Sequence, residues 1–343
     1  MTLPTRQLGK DGPEVTGLGL GLMGMSIAYG VPKPDPERMA FLDKAYELGE
    51  RNWDTADMYG DNEDLLGRWF AANPGARRNI FLATKFGNRI DADGSRTIDS
   101  SPAYCKEAMA RSLARLGVPS VDLYYCHRLD GATPIELTVR AMAELQAEGK
   151  ARHLGLSECS AASLRRASRV ARIAAVQIEY SPFALDVESD QVGLLDACRE
   201  LGVAVVAYSP LGRGVLAGAL RSPADFAAEG DFRRLRLPRF SDENFPKNLA
   251  LVERIGGVAR RKGVTSAQLT LAWLLRQGRD VIPIPGTTRV DRLQENLKAL
   301  EVELTDEEDR EIREASEGAE VAGERYPEAF MKACFADTPP LEG

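Results

Sequence analysis

Short apolar strand candidates alternating with amphipathic helix candidates predict an α/β chain closed into a (β/α)8 TIM barrel, with an N-terminal β-hairpin and extra helices. Three observations carry this expectation. The alternation recurs in units of roughly thirty residues, the size of one βα step. Runs such as Ile80-Phe81-Leu82-Ala83 are continuously apolar, as strands buried on both faces of a parallel sheet must be. The 343 residues carry no linker rich in Gly, Ser or Pro, so residues 1–343 read as one domain, with residues 318–343 a tail near the barrel mouth.

Residues 4–21 read as a hairpin turned by Leu8-Gly9-Lys10-Asp11-Gly12-Pro13, leading into a glycine-rich first barrel strand, Gly17 to Gly21. Asp35-Pro36-Glu37 reads as an N-cap, a proline at the first helical position and an acid behind it. Phe41, Ala45 and Leu48 then mark one helix face, and Gly49 closes it. A strand over 52–56 follows, then a helix over 62–72 opened by Asn62-Glu63-Asp64. Strand 80–86, helix 101–116 and strand 121–127 continue the rhythm. Thr133-Pro134-Ile135-Glu136 has the pattern of a capping box with proline at its first helical position, and Leu137, Ala141 and Leu145 face the core.

The second half repeats the pattern. Strands are expected over 153–157, 175–180, 203–209 and 281–285, and helices over 160–171, 189–201, 246–262, 265–277 and 289–299. Thr305-Asp306-Glu307-Glu308 caps a last helix.

Composition excludes several classes. A net charge of −7 and a pI near 5.2 leave no broad attraction to nucleic acid or anionic membrane. No apolar run reaches the ~18 residues of a membrane span, and residues 1–10 are polar, unlike a secretory leader. Cys105, Cys126, Cys159, Cys198 and Cys334 form no CxxC pair and are odd in number, which suits a reducing, cytoplasmic location. His127 and His153 are the only histidines, so no metal site is expected. Oligomerisation is left open.

Gly19-x-Gly21-x-x-Gly24 matches the dinucleotide fingerprint but lacks its context. No helix opens behind Gly24, and the acid about twenty residues on, Asp43, lies within a helix. The glycines read instead as places where backbone approaches a ligand closely.

In a barrel, chemistry sits at the C-terminal ends of the strands. There the chain sets Asp54, Tyr59, Lys85 and His127 on three successive units. A phenol is a weak acid, with an ordinary pKa of about 10. An ammonium beside it stabilises the phenolate and so lowers that pKa. A buried lysine needs a counter-charge, which Asp54 can supply, and a neutral imidazole can orient a carbonyl oxygen. Taken singly, each residue also reads as a rim or packing group. Together they suit protonation of a carbonyl oxygen while hydride arrives at its carbon. His153, early on its strand, reads as structural, and Asp57 as a loop anchor.

Three segments carry a resemblance. Asn52-Trp53-Asp54-Thr55-Ala56-Asp57-Met58-Tyr59-Gly60, Thr84-Lys85-Phe86-Gly87 and Asp122-Leu123-Tyr124-Tyr125-Cys126-His127-Arg128-x-Asp130 resemble signature segments of the aldo-keto reductase superfamily. The likeness covers about residues 6–317. It extends, over the 211–245 segment, to a microbial and plant branch that includes yakC-like and perakine-reductase-like enzymes. The resemblance implies NADPH-dependent reduction of an aldehyde or ketone. Tyr59 would be the proton donor, Lys85 its tuner, Asp54 the partner of Lys85, and His127 the substrate-orienting group. It equally admits an NADPH-binding sensor or regulatory subunit with little turnover, or a pyridoxal or aryl-alcohol specialist on the same site.

The resemblance also implies the cofactor contacts, beginning with Gly21, Met23 and Asp54. Ser157 and Gln177 would meet the carboxamide of nicotinamide, and Tyr208 would stack on its ring. Ser209, Pro210, Leu211, Gly212 and Gly214 form a small-residue loop for a pyrophosphate. Gly286, Thr287 and Thr288 precede a helix N-terminus that favours anions. Arg289 and Arg292 suit a 2′-phosphate, which favours NADP, and Glu295 and Asn296 suit adenine. Met25, Tyr29, Trp53, Met58, Arg128 and the tail from Tyr326 to Phe335 are expected as substrate-pocket walls. Two departures stand out: Glu158 where many relatives carry asparagine, and Cys126 where relatives often have glutamine. The 211–245 segment reads either as a flap over the pyrophosphate or as a solvated loop.

Overall fold

The chain enters through an antiparallel hairpin, β1 (Thr5–Gln7) and β2 (Glu14–Thr16), with Arg6 opposite Val15. In this computed structural model, residues 2–90 and 95–342 are described. The barrel strands follow as β3 (Leu20–Gly21), β4 (Asn52–Asp54) and β5 (Phe81–Phe86). A second small hairpin, β6 (Asn88–Ile90) and β7 (Arg96–Ile98), leaves the rim. Then come β8 (Val121–Cys126), β9 (Ala151–Ser157), β10 (Ile173–Glu179), β11 (Ala204–Tyr208) and β12 (Val281–Pro283).

The eight barrel strands lie in the order β3-β4-β5-β8-β9-β10-β11-β12, every pairing parallel. Closure falls between the first and last. Gly19 N–H donates to Pro283 O at 2.9 Å, Gly21 N–H to Pro285 O at 3.2 Å, and Gly21 bridges Gly286. A Cβ on Gly21 would lie 2.9 Å from Ile284 O, and one on Gly19 2.8 Å from the Asn52 amide. These glycines serve strand-to-strand closure, and Gly21 also lines the cavity at the barrel mouth. No helix opens after Gly24; a short 3-10 turn, Met23–Met25, precedes the helix Asp35–Glu47.

Period-two alternation sorts each strand into two environments. Inward residues Ala83, Leu123, Tyr125, Ala175, Val206 and Ile282 fill the barrel, and Leu8 and Val15 of the hairpin plug its lower end. A Cβ on Gly155 would lie 2.4 Å from the Tyr125 ring, so the glycine makes room for that ring inside the barrel. Outward residues pack under the helices. Trp53 sits 4.9 Å, centroid to centroid, from Trp69 of helix Asn62–Ala72. Trp53 and Met25 are thus core residues and not substrate-pocket walls.

Most predicted elements occur within a few residues of their expected ends, with instructive exceptions. Strand β4 stops at Asp54, and as the chain turns away Thr55 N–H still bonds Ala83 O and Asp57 N–H bonds Lys85 O. The helix at Asp35–Glu47 starts one residue early, with Pro34 as N-cap. The expected capping box at Thr133 does not form: Pro134 caps helix Ile135–Ala147, and Thr133 Oγ1 donates instead to Asp130 at 2.8 Å. The helix over 189–201 shortens to Leu194–Leu201. The capping box at Thr305 does form, opening helix Asp306–Glu317. The hairpin β6-β7 was not foreseen, since its polar, exposed residues lack an apolar period.

Glu50, just before β4, is wholly buried, accepting from Asn52 N–H at 2.7 Å and Thr16 Oγ1 at 3.1 Å. Burial pushes its carboxyl from an ordinary 4.5 up to about 8, the two hydrogen bonds offsetting only part. Between those values the folded chain keeps a proton that the unfolded chain has released, so stability falls as pH rises through this window. Glu50→Gln is expected to remove that slope, up to ~1.4 kcal/mol per pH unit, and to stabilise the protein at pH 8. Urea unfolding at pH 5 and pH 8 checks it; an unchanged difference between the two pH values would refute it.

Candidate active site

A cavity of about 1150 Å³ opens at the C-terminal ends of the strands. Asp54 ends β4, Lys85 is the penultimate residue of β5, and His127 follows β8 directly. Tyr59 lies in the loop after β4, where Tyr59 N–H bonds Ala56 O at 3.2 Å and turns the ring inward. Asp54, Tyr59 and His127 line the cavity, and Lys85 lies wholly buried behind them.

Lys85 is fully engaged. Its ammonium donates to Asp54 Oδ1, to Thr55 O at 2.7 Å and to the Tyr59 hydroxyl at 3.5 Å. The second Asp54 oxygen accepts from Gln177 Nε2 at 2.8 Å. Burial works against the ammonium, but Asp54 and Tyr59 outweigh it, so the Lys85 pKa is raised and its charge is secure. Burial pushes the Tyr59 phenol up, and Lys85 offsets only part of that. The net direction corrects the expectation of a lowered phenol pKa: desolvation outweighs the ammonium, and Tyr59 stays protonated. His127 stands edge-on to Tyr59 with centroids 5.9 Å apart. Burial first, then Lys85 and Arg128, hold its imidazole well below its usual pKa, so it is neutral. Its Nδ1 is buried without a hydrogen-bond partner.

Around this centre the cavity runs as a cleft across the barrel mouth. Gly21, Met23, Gln177, Tyr208, Ser209, Pro210, Leu211 and Gly214 line it, as do Gly286, Thr287, Thr288, Arg289, Arg292, Glu295 and Asn296. Arg289 pairs with Asp291, and Arg292 Nη1 with Glu295 Oε2 at 2.7 Å. Two expected residues stand off. Ser157 points into the barrel interior and is buried behind the lining, and Gly212 is covered by Phe183, Val215 and Leu216. Gln177 reaches the cavity but spends its amide on Asp54.

The 211–245 segment packs against the rest of the chain and is not a wholly solvated loop. Phe226 and Phe240 are buried, Phe232 N–H donates to Ala28 O at 3.0 Å, and Tyr29 bridges Asp231. Tyr29, Met58, Arg128, Tyr326 and Phe330 form the outer walls, while Phe335 packs under Arg325 instead. Arg96 and Asn88 of the β6-β7 hairpin join them. No sequence signal pointed to those two, nor to Arg325. Arg213 Nη2 donates to Tyr326 Oη at 2.8 Å and to Glu179 at 3.3 Å; Arg325 donates to Glu158. These are contacts between distant segments. Cys126 is buried and its thiol meets Arg128 O, while His153 stacks on Phe81 at 6.2 Å, outside the site. Asp57 is largely buried at the edge of the loop, and burial pushes its carboxyl up to about 7.

A closed parallel barrel with a buried lysine-carboxylate pair, a phenol and a neutral imidazole at its mouth is the architecture of a carbonyl–alcohol oxidoreductase. Comparison with known proteins agrees. The sequence pattern of the Aldo/keto reductase family matches residues 17–317. The chain is 48% identical to the aldo-keto reductase yakc [NADP(+)] of Schizosaccharomyces pombe, over 99% of both chains. It is also 48% identical to the aldo-keto reductase str7 of Strobilurus tenacellus, again over 99% of both. Among solved structures, the glycerol dehydrogenase AKR11B4 of Gluconobacter oxydans superposes with a TM-score of 0.80 at 27% identity, covering 93% of this chain and 97% of that one. A thermostable aldo-keto reductase, Tm1743, solved with the inhibitor epalrestat, gives a TM-score of 0.70 at 28% identity, covering 91% and 100%. This chain belongs to the aldo/keto reductase family and is an oxidoreductase.

Removing Lys85 would strand the Asp54 carboxylate. Lys85→Met is expected to cost ~3–5 kcal/mol, and adding Asp54→Asn should recover part of it. Chemical denaturation of the single and double variants measures this; simple additivity of the two losses would contradict a coupled pair.

Proposed function

We propose that this protein reduces an aldehyde or ketone to the alcohol with NADPH, reversibly, in the one barrel domain formed by residues 1–343. The observation that carries the reading is the Asp54–Lys85–Tyr59 chain beside a neutral His127 at the wall of a large cleft. Bound NADPH supplies the hydride. Tyr59 holds the proton for the carbonyl oxygen, since burial keeps the phenol protonated. Lys85, charged and fixed by Asp54, stabilises the phenolate as the proton leaves. Neutral His127 orients the carbonyl oxygen toward Tyr59 without competing for its proton.

The residues present suit the cofactor. The long cleft ends at the helix Val290–Leu297, with Arg289 and Arg292 at its start, a cationic place for a 2′-phosphate. The left-handed residues Ser209, Gly212, Arg213 and Gly214 shape a compact loop against which a pyrophosphate would lie. Tyr208, on the wall, offers a ring face for nicotinamide, and Asn296 and Glu295 offer polar edges for adenine. The printed name of the fission-yeast relative, with its NADP(+), supports the same choice. The glycerol dehydrogenase likeness supports reversibility. The walls Tyr29, Met58, Arg128, Tyr326 and Phe330 suit a sizeable, partly aromatic carbonyl compound. Among the described residues no helix is long and apolar enough to cross a membrane, and no His, Cys, Asp and Glu group could hold a metal. Five free cysteines suit a reducing, cytoplasmic setting.

Tyr59→Phe is expected to leave NADPH affinity within about twofold and cut turnover by ~10²–10⁴ with an aromatic aldehyde. Loss of NADPH absorbance follows it, and full turnover in the variant would sink the assignment. A single stoichiometric oxidation without further turnover by the unmodified protein would instead favour a cofactor-sensing role. Arg292→Ala should raise the KM for NADPH about tenfold and leave that for NADH nearly unchanged. Equal changes for both cofactors would argue against a 2′-phosphate contact.

A further inference from the structure

Glu158 follows β9 in a left-handed conformation, φ +49°, and its side chain is wholly buried. A non-glycine residue there is strained, and the surrounding contacts must hold it. They come from three segments, the end of β11, the stretch after β8 and the tail. Glu158 Oε1 accepts from the Tyr208 hydroxyl at 2.7 Å and from Arg325 Nη1 at 3.0 Å. Glu158 Oε2 accepts from Arg325 Nη2 at 3.2 Å and faces Arg128 Nη1 at 3.5 Å. The backbone adds to this. Ala336 N–H donates to Glu158 O at 2.8 Å, Ser160 N–H donates to Ala336 O at 2.8 Å, and Cys159 bridges Ala336. The tail is thus docked on Glu158 through both its main chain and the Arg325 fork.

One carboxylate oxygen is shared by the tail and by Tyr208, and that sharing carries the inference. Tyr208 ends β11 and lines the cleft, so a contact at its hydroxyl bears on where its ring sits in the wall. The Tyr326 hydroxyl, 3.2 Å from that of Tyr208, adds a second tie from the tail. Burial alone would neutralise Glu158, but Arg128 and Arg325 keep it charged. Arg128 follows His127, so the same carboxylate also holds the end of β8.

We propose that Glu158 is a positioning residue: it fixes the Tyr208 ring for nicotinamide by tying its hydroxyl to the docked C-terminal tail through Arg325. This rests on the reading that Tyr208 faces the nicotinamide. It makes the tail a determinant of cofactor geometry as well as a wall for substrate. A neutral amide at position 158 could not accept the two-pronged Arg325 contact with the same strength.

The test compares NADPH with 2′-phospho-ADP-ribose, which keeps the adenosine and pyrophosphate but lacks nicotinamide, by calorimetry on the full chain. Glu158→Gln and Arg325→Met are each expected to weaken NADPH about tenfold and leave the fragment unchanged. Arg325→Lys should restore part of the loss. In a Tyr208→Phe background, which keeps the ring and removes the hydroxyl, neither substitution should change the ratio of the two affinities further. Equal weakening of NADPH and the fragment would show a merely structural anchor and overturn the proposal. So would a full effect persisting in the Tyr208→Phe background, or no effect at all. Tyr208→Ala separates this from the underlying reading: if it leaves the ratio unchanged, Tyr208 does not meet nicotinamide and both fall together.

Discussion

The buried ion pair of Lys85 and Asp54 is the constraint on which the site depends. An ammonium wholly out of water persists only with a counter-charge and a full set of acceptors. Asp54, Thr55 O and Tyr59 supply them, and Gln177 satisfies the remaining Asp54 oxygen. Asp54, Thr55 and Tyr59 come from the end of β4 and the loop after it, Lys85 from β5 and Gln177 from β10. The strands must therefore close at fixed register, and the barrel interior must stay filled, before the pair can exist. Gly19 and Gly21 at the seam and Gly155 beside Tyr125 meet that requirement by leaving no side chain where backbone or ring must pass. The hairpin residues Leu8 and Val15 pack into the opposite end of the barrel.

Above the pair, charge organises the rim. Glu158 and Glu179 end successive strands, buried, and each gathers arginines from elsewhere in the chain: Arg128 and Arg325 on one, Arg213 and Arg239 on the other. Arg213 belongs to the packed segment over the cleft and Arg325 to the tail. Ion pairs of this kind contribute little net stability against an apolar alternative, but they are sensitive to geometry. Here they tie together a strand end, a long connection and the tail around Tyr208 and Tyr326. The phenol and imidazole below work in the low-dielectric space this rim encloses.

Much of this was legible in the chain itself. The strand and helix alternation, the capping box at Thr305 and the placement of Asp54, Tyr59, Lys85 and His127 at strand ends follow from periodicity and local chemistry. Local signals failed where a competing contact prevailed. Thr133 has the pattern of a cap, yet its hydroxyl serves Asp130, and Pro134 takes the cap position. Trp53 sits beside Asp54 in sequence, but alternation sends it outward under Trp69. Ser157 falls at a strand end as expected, but is buried and does not line the cleft.

The sequence by itself determined the fold class, the family resemblance and the four candidate catalytic residues, because each is written in spacing over a few residues. Only the tertiary structure decided the net protonation of Tyr59, where burial outweighs the lysine beside it. It alone revealed that the barrel seam needs its glycines, and that Glu158, 167 residues from Arg325, carries the tail. Such features depend on desolvation and on contacts between distant segments. Neither leaves a period in the chain, so both become readable only once the barrel has closed.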